Sequence, residues 1–139
     1  MTNLISQTFK DDKKKLVTFV TGGDPDLETS LEIIKTLINN EVDIIEIGMP
    51  FSDPMADGPT IQLSSNRAIN KGIDLENIFY LVSEVKKIKR DLPIILMGYY
   101  NLILYFGIEK FVKKCKKNGV DVLIIVDLQP EEDEDLINE

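Results

Sequence analysis

One acidic residue stands in the middle of a strand-like run of aliphatic residues. Glu46 is flanked by Ile44, Ile45 and Ile47, so the pattern predicts that its carboxyl group is at least partly buried. Burial raises the pKa of a carboxyl group towards the range that suits a general acid or base near neutral pH. The alternative is a structural role, in which Glu46 pairs with a lysine or caps a neighbouring loop.

The segment that follows this run, residues 48–62, is dense in glycine, proline and aspartate. Loops at the carboxyl ends of parallel strands are where α/β enzymes build their active sites. Prolines stiffen the backbone, so we expect Asp53 and Asp57 to be held in place rather than mobile. A plain surface turn with solvated aspartates is the alternative, because Asp, Gly and Pro are also common in turns.

The composition restricts the chemistry further. The 139 residues include no histidine, so acid–base catalysis falls to carboxylates, lysines or tyrosines, and no metal site is expected. The single cysteine, Cys115, lies on the apolar side of a helical pattern and is expected in the core. A formal charge of -8 argues against nucleic-acid and membrane partners. No segment resembles a signal peptide or membrane span, and a cytoplasmic location is expected.

Four aliphatic, β-branched runs of strand length position these residues. They cover residues 16–21, 42–48, 93–97 and 120–127, and segments of helical period separate them. The alternation predicts an α/β fold with about four parallel strands joined by right-handed crossovers. The continuous apolar character of the second and fourth runs predicts strands that are covered on both faces.

Residues at the ends of the helical segments support this division. Asp24 and Pro25 are predicted as the N-cap and first residue of the first long helix, and Asp74 as the N-cap of another. Gly119 is predicted to end a third helix. The acidic residues 131–139 are predicted to begin a further helix.

Four segments together resemble the tryptophan synthase α subunits. Residues 46–62, EIGMPFSDPMADGPTIQ, are similar to that family's signature almost residue for residue. Residues 19–25, 96–101 and 126–128 follow the family's order and spacing. The resemblance implies a TIM (β/α)₈ barrel, which typically needs about 250 residues. Residues 1–139 are therefore expected to form the N-terminal half of a single barrel domain.

The resemblance also implies residue roles. Members of this family cleave indole-3-glycerol phosphate to indole and glyceraldehyde 3-phosphate by a retro-aldol reaction that needs no bound cofactor. Glu46 matches the acid–base carboxylate, and Asp57 matches the carboxylate that binds the indole N–H. Asp53 and Pro54 match the region that contacts the β subunit of an α₂β₂ complex. The positions that match the indole pocket are Phe19, Ile61, Met97, Tyr99 and Ile124.

Three alternatives stay open. Ordinary packing in the barrel core is an equal account of the pocket positions, and the better one for Ile124. The chain could be a catalytically silent half-barrel that self-associates or complements a C-terminal half, because the phosphate site of such barrels follows strands seven and eight. Another phosphate-binding barrel would share the alternation of strands and helices but not the signature.

The sequence departs from the family pattern at Met97, Leu102 and Gln129, and these departures remove no catalytic group.

Overall fold

A parallel four-stranded sheet with helices against one face is the framework of the molecule. The computed structural model describes residues 4–129. The described elements are α1 (Leu4–Thr8), β1 (Val17–Thr21), α2 (Leu27–Asn39), β2 (Ile44–Gly48), α3 (Pro59–Asn70), α4 (Leu75–Ile88), β3 (Ile94–Gly98), α5 (Tyr100–Phe106), α6 (Ile108–Asn118) and β4 (Val122–Ile125). The strand order is β1-β2-β3-β4, and neighbouring strands are parallel. The predicted α/β class with four parallel strands is confirmed.

The strands coincide with the four predicted runs, and β4 differs most from its prediction. The predicted run 120–127 is longer at both ends than the strand Val122–Ile125. At the first end, the Val120 N–H still donates to Cys115 O at the end of α6. At the other end, the Asp127 carboxylate accepts a hydrogen bond from Tyr100 N at 2.8 Å. The outermost residues of the run, 120 and 127, therefore contact helices, while Asp121 N and Val126 N still donate to β3.

The N-cap predicted at Asp24 is wrong. Helix α2 begins at Leu27, and its N-cap is Asp26, whose carboxylate accepts a hydrogen bond from Thr29 N at 2.8 Å. Asp24 instead accepts two hydrogen bonds from the guanidinium group of Arg67 in α3. Aspartates stand on both sides of the proline at position 25, and only the path of the turn decides which of them caps the helix.

The other two predicted helix ends are confirmed. Asp74 is the N-cap of α4, where it and Asn77 each accept a hydrogen bond from the other's backbone N–H. This reciprocal arrangement satisfies two N–H groups that have no partner inside the helix. Gly119 ends α6 in the left-handed conformation with φ 88, which costs glycine little because it has no Cβ.

Three described helices, α1, α3 and α5, do not follow from the sequence pattern. Helix α3 begins at Pro59, so the segment 48–62 is a loop only as far as Gly58. Its buried face consists of Ser64, Ser65 and Ala68, which give no apolar periodicity. The helix predicted at 131–139 lies outside the described residues.

The main hydrophobic core lies between the sheet and the helices. Ile45, Ile47 and Leu96 point from the strands towards this layer, where they meet Phe79 of α4 and Phe111 of α6. Each fully buried side chain of this size contributes about 1.5–3 kcal/mol relative to an exposed one. Cys115 also lies in this core, as predicted. The core fixes the strands and so fixes the loops that follow them.

The opposite face of the sheet is covered unevenly. Strand β2 is buried apart from Glu46, as the apolar run predicts. On the outer strands, however, Val17 is 45%, Phe19 38% and Ile124 38% exposed. The expectation of cover on both faces, made for β2 and β4, is therefore wrong for β4, and β1 is exposed in the same way. These are the end strands of the described sheet, and no second layer within residues 4–129 packs fully over their inner side chains.

Candidate functional site

Glu46 lies in the centre of β2 and its register partners are Phe19 on β1 and Ile95 on β3. These three residues alternate with the ones that enter the helix-covered core, so they lie on the opposite face of the sheet. Glu46 is partly buried, and burial raises the pKa of its carboxyl group above the ordinary value. Within residues 4–129 the carboxyl group has no hydrogen-bond or ion-pair partner. The pairing with lysine that the sequence left open is not observed.

Asp57 is held in the β2–α3 loop by contacts on both sides of its backbone. Its N–H donates to Pro54 O at 3.0 Å, and its carbonyl oxygen accepts a hydrogen bond from Gln62 Nε2 at 2.8 Å. Its carboxylate Oδ2 accepts a hydrogen bond from the Tyr99 hydroxyl at 3.1 Å. The expectation that this carboxylate is held in place is confirmed, and a fully solvated turn is not what the loop forms.

A small cleft, open to solvent, lies at the carboxyl ends of the strands. Asp57 lines it, as do four of the five residues predicted for an indole pocket, namely Phe19, Ile61, Met97 and Tyr99. The fifth, Ile124, is the register partner of Met97 on β4 but is not among the lining residues. Glu46 is not among them either, although it lies two residues before the lining residue Gly48 on the same face of the strand.

The cleft depends on a close approach of Phe19 to β2. A Cβ atom at Gly48 would lie 2.6 Å from Phe19 Cζ, closer than two carbon atoms can pack. The aromatic ring therefore lies directly against the backbone at the end of β2. A larger residue at Gly48 would move the ring and change the wall of the cleft.

Two groups of cleft residues escape prediction from the sequence. Small polar residues form one group: Thr21 and Ser65 line the cleft, and the Thr21 hydroxyl lies 2.7 Å from the buried Ser64 hydroxyl of α3. The other group comprises residues at the strand ends, Met49, Gly98 and Val126. The spacing of Ile61, Ser64 and Ser65 is that of one helical face, and this is the signal that could have revealed α3.

The pair predicted to meet a partner, Asp53 and Pro54, is divided by the structure. Asp53 is exposed and accepts a hydrogen bond from Ser52 Oγ at 2.8 Å, whereas Pro54 is buried. Beside this loop lies an apolar groove of ≈ 1090 Å³, whose walls include Phe51 and Phe106. Tyr105, also on the groove, is 95% exposed.

The remaining reactive groups take no part in the site. Burial raises the pKa of the Cys115 thiol to about 12, so the thiol stays protonated near neutral pH and is a poor nucleophile. Among residues 4–129, no three His, Cys, Asp or Glu side chains are grouped so that they could hold a metal ion. No helix in the described part of the chain is both long and apolar enough to span a membrane.

Comparison with known proteins gives one family. The family model for the tryptophan synthase alpha chain matches residues 5–139. The tryptophan synthase alpha chain of Geotalea uraniireducens (strain Rf4) is 53% identical over 126 residues, which are 91% of this chain and 47% of that protein. The one of Thermoanaerobacter sp. (strain X514) is 49% identical over 127 residues, with shares of 91% and 48%. The chain thus spans about half the length of the curated relatives it matches.

Solved structures give the same result at the level of the fold. Tryptophan synthase subunit alpha from Legionella pneumophila str. Paris superposes with a TM-score of 0.94 at 35% identity, over 99% of this chain and 54% of that one. A structure of the tryptophan synthase a2b2 complex from Pyrococcus furiosus gives 0.83 at 38% identity, over 89% and 50%. The predicted fold class, about half of a TIM (β/α)₈ barrel, is confirmed. Because the family model covers nearly all of it, the chain belongs to the tryptophan synthase alpha chain family.

Proposed function

We propose that this chain carries the two catalytic carboxylates of a lyase that cleaves indole-3-glycerol phosphate to indole and glyceraldehyde 3-phosphate. The observation that supports it best is the convergence of Phe19, Ile61, Met97 and Tyr99 on a cleft that Asp57 also lines. Apolar and aromatic walls with one acidic group suit a flat heteroaromatic ring that has a single N–H donor.

The proposed reaction is a retro-aldol cleavage that moves two protons. Indole C3 gains a proton, and the bond between C3 and the hydroxyl-bearing carbon of the glycerol chain then breaks. The electron pair of that bond restores the aromatic ring, while the hydroxyl group loses its proton and becomes the aldehyde. No oxidant, reductant or cofactor enters this balance, and acid–base groups near the ring are sufficient.

In this proposal Asp57 binds the indole N–H and stabilises the positive charge that develops on the ring when C3 is protonated. A carboxylate fixed before the reaction does this better than a mobile one, because no reorganisation accompanies the step. The contacts to Pro54, Gln62 and Tyr99 supply that fixation.

Glu46 is the proposed proton carrier. Its carboxyl group has no partner within the described residues, so neither of its oxygens is engaged by residues 4–129. Its raised pKa brings it closer to the pH at which a group can both give and take a proton. Glu46 and Asp57 thus have different surroundings, as their two proposed roles require. Glu46 has no hydrogen-bond partner among the described residues and a raised pKa, whereas Asp57 is held by hydrogen bonds.

The proposed reaction also requires a site for the phosphate group of the substrate. Phosphate sites of (β/α)₈ barrels are typically built from the loops that follow strands seven and eight. We therefore propose that residues 1–139 act as the carboxylate-bearing half of one barrel domain and depend on a C-terminal half for phosphate binding.

We further propose that the loop at Asp53 and Pro54, together with the apolar groove beside it, receives a tryptophan synthase β subunit. The Pyrococcus furiosus relative was solved as an a2b2 complex. On this chain the groove is rimmed by the exposed ring of Tyr105, and the carboxylate of Asp53 faces solvent. Large exposed apolar surface with a polar edge is typical of a protein interface.

Indole release tests the proposal. The chain is mixed with indole-3-glycerol phosphate alone, then with the segment of the Geotalea uraniireducens relative that follows the matched part, and then also with a β subunit. We expect indole only when the C-terminal segment is present, and more of it when the β subunit is added. A folded, stoichiometric complex that releases no indole in either mixture would contradict the proposal.

A second candidate is a silent half-barrel whose inner sheet face meets a second copy of the chain. The observation that favours it is the exposure of Val17, Phe19 and Ile124 on that face. Light scattering after size exclusion measures the oligomeric state. A parent chain that is a dimer and a Phe19→Ser variant that is a monomer would support self-association. A monomer for both proteins, with the same circular dichroism, rules it out.

A further inference from the structure

Tyr99 joins the end of β3 to the loop that carries Asp57. Its hydroxyl oxygen accepts a hydrogen bond from Ala56 N at 3.0 Å and donates one to Asp57 Oδ2 at 3.1 Å. Its ring also contacts the ring of Phe51, with 5.3 Å between the centroids. One side chain, only 3% exposed, therefore holds the β2–α3 loop near both of its ends.

Tyr99 itself is held in place by the sheet and by α5. Tyr99 follows β3 directly and is the N-cap residue of α5, where its carbonyl accepts a hydrogen bond from Leu102 N at 3.2 Å. The next residue, Tyr100, donates its N–H to Asp127 at the end of β4. The loop, residues 49–58, has no helix or strand of its own. The contacts of Tyr99 thus attach this loop to the sheet and order it.

The contact leaves the Asp57 carboxylate with one occupied and one open oxygen. Oδ2 is engaged by Tyr99, whereas Oδ1 has no hydrogen-bond partner within residues 4–129. Asp57 and Tyr99 both line the cleft. A single hydrogen bond from a rigid donor restricts the rotation of the carboxylate, so the open oxygen has a defined direction.

We propose that Tyr99 is a positioning residue whose hydroxyl orients the Asp57 carboxylate, so that Oδ1 meets an N–H donor of a ligand in the cleft. The part of this inference that concerns catalysis rests on the proposed function, while the part that concerns the loop does not. Burial is the main cause of the raised pKa of the Tyr99 phenol, so the hydroxyl keeps its proton throughout the pH range in which it must donate.

Tyr99→Phe isolates the hydroxyl, because the ring that forms part of the cleft wall remains. In the complemented enzyme we expect kcat for indole release to fall about tenfold, the equivalent of one net hydrogen bond, with KM within about twofold. The matched control is Tyr80→Phe on α4, which removes the same atom from an exposed ring away from the cleft and should change neither constant. In an Asp57→Ala background, Tyr99→Phe should produce no further loss, because the group that it positions is absent.

Two measurements on the chain itself do not depend on activity. Amide hydrogen exchange at Ala56 should accelerate about tenfold in Tyr99→Phe, since its N–H loses its acceptor. Three-bond couplings should report one side-chain rotamer for Asp57 in the parent and an average in the variant. Tyr80→Phe should leave both unchanged.

The outcomes separate the two proposals. Unchanged exchange at Ala56 and an unchanged Asp57 rotamer in Tyr99→Phe would overturn the positioning role, whether or not any mixture releases indole. If both readouts change but kcat of an active complemented enzyme does not, the orientation of Asp57 is irrelevant to the reaction and the inference is wrong. If both change and no mixture releases indole, the positioning role stands and only the proposed function fails.

Discussion

Carboxylates at the two ends of the sheet have opposite surroundings. At the amino end, Asp121 lies just before β4, and its Oδ2 accepts hydrogen bonds from Lys86 Nζ and from Ile94 N, each at 2.8 Å. Lys86 also donates to Leu92 O at 2.8 Å. This one charge ties α4, β3 and β4 together, and both it and the lysine are largely buried.

Glu46 in the centre of β2 and Asp57 in the loop that follows this strand are not saturated with hydrogen bonds. Asp57 has one hydrogen bond to its carboxylate and an open oxygen, and Glu46 has none at all within the described residues. A partly buried carboxyl group without partners lowers the stability of the fold, whereas the carboxylate of Asp121 has hydrogen-bond donors that offset its burial. The difference indicates that Asp121 serves the fold, while Asp57 and Glu46 keep carboxylate oxygens without partners among residues 4–129, on the part of the sheet where (β/α)₈ barrels bind ligands.

Asp57→Asn tests the catalytic side of this comparison and is expected to have a large effect on turnover. The amide keeps the shape of the side chain but loses the charge that stabilises the protonated ring. We expect kcat of the complemented enzyme to fall about 10²–10³-fold, with little change in stability. Asp53→Asn, a change of the same kind in the same loop, should not affect indole release when no β subunit is present. Equal activity of Asp57→Asn and the parent would remove Asp57 from the mechanism.

Asp121→Ala should show the opposite pattern. The change removes the charged acceptor of the Lys86 ammonium, which keeps Leu92 O, and leaves the Ile94 N–H without its acceptor. The free energy of unfolding should therefore fall by about 2–3 kcal/mol. Urea titrations followed by circular dichroism measure this, with the exposed Asp91→Ala as control. Below the unfolding transition, kcat per folded complemented enzyme should match the parent. A specific loss of kcat without a shift of the urea midpoint would erase the distinction between the two ends.

The smallest expected effect is the pH dependence that Glu46 adds to stability. Its pKa is raised in the folded chain, so the folded state binds the proton more tightly than the unfolded state. The associated stability is complete below the ordinary glutamate pKa of about 4.3 and is lost as pH rises through the folded-state value. Urea midpoints across this window should therefore decline more for the parent than for Glu46→Gln. Parallel curves for the two proteins would show that burial has no such effect.

Much of the fold could be predicted because its signals are local. Aliphatic runs marked the four strands, and the Asp74 and Gly119 caps need only nearby residues. Helix α3 was missed because serines rather than large apolar side chains form its buried face. Asp24 was misassigned as a cap because its actual partner, Arg67, is 43 residues away in sequence.

The sequence predicted several residues of the site but not the hydrogen bonds between them. The resemblance predicted five of the eleven residues that line the cleft. The hydrogen bond from Tyr99 to Asp57 joins residues 42 positions apart, and no pattern within either segment reveals it. The strand position of Ile124 was foreseeable, but its absence from the cleft wall was not, since its register partner Met97 and the nearby Val126 both line the cleft.

The most direct test of the distinction between the two ends is Glu46→Gln, with indole release and unfolding measured on the same preparations. Because the uncommitted carboxyl group is the proposed proton carrier, turnover of the complemented enzyme should fall about 10³-fold. The urea midpoint near neutral pH should be equal to that of the parent or higher, since an unpaired, partly buried charge is removed. The exposed Glu32→Gln serves as control for the loss of one charge. Retained turnover, or a marked loss of stability, would contradict the account and return Glu46 to a structural role.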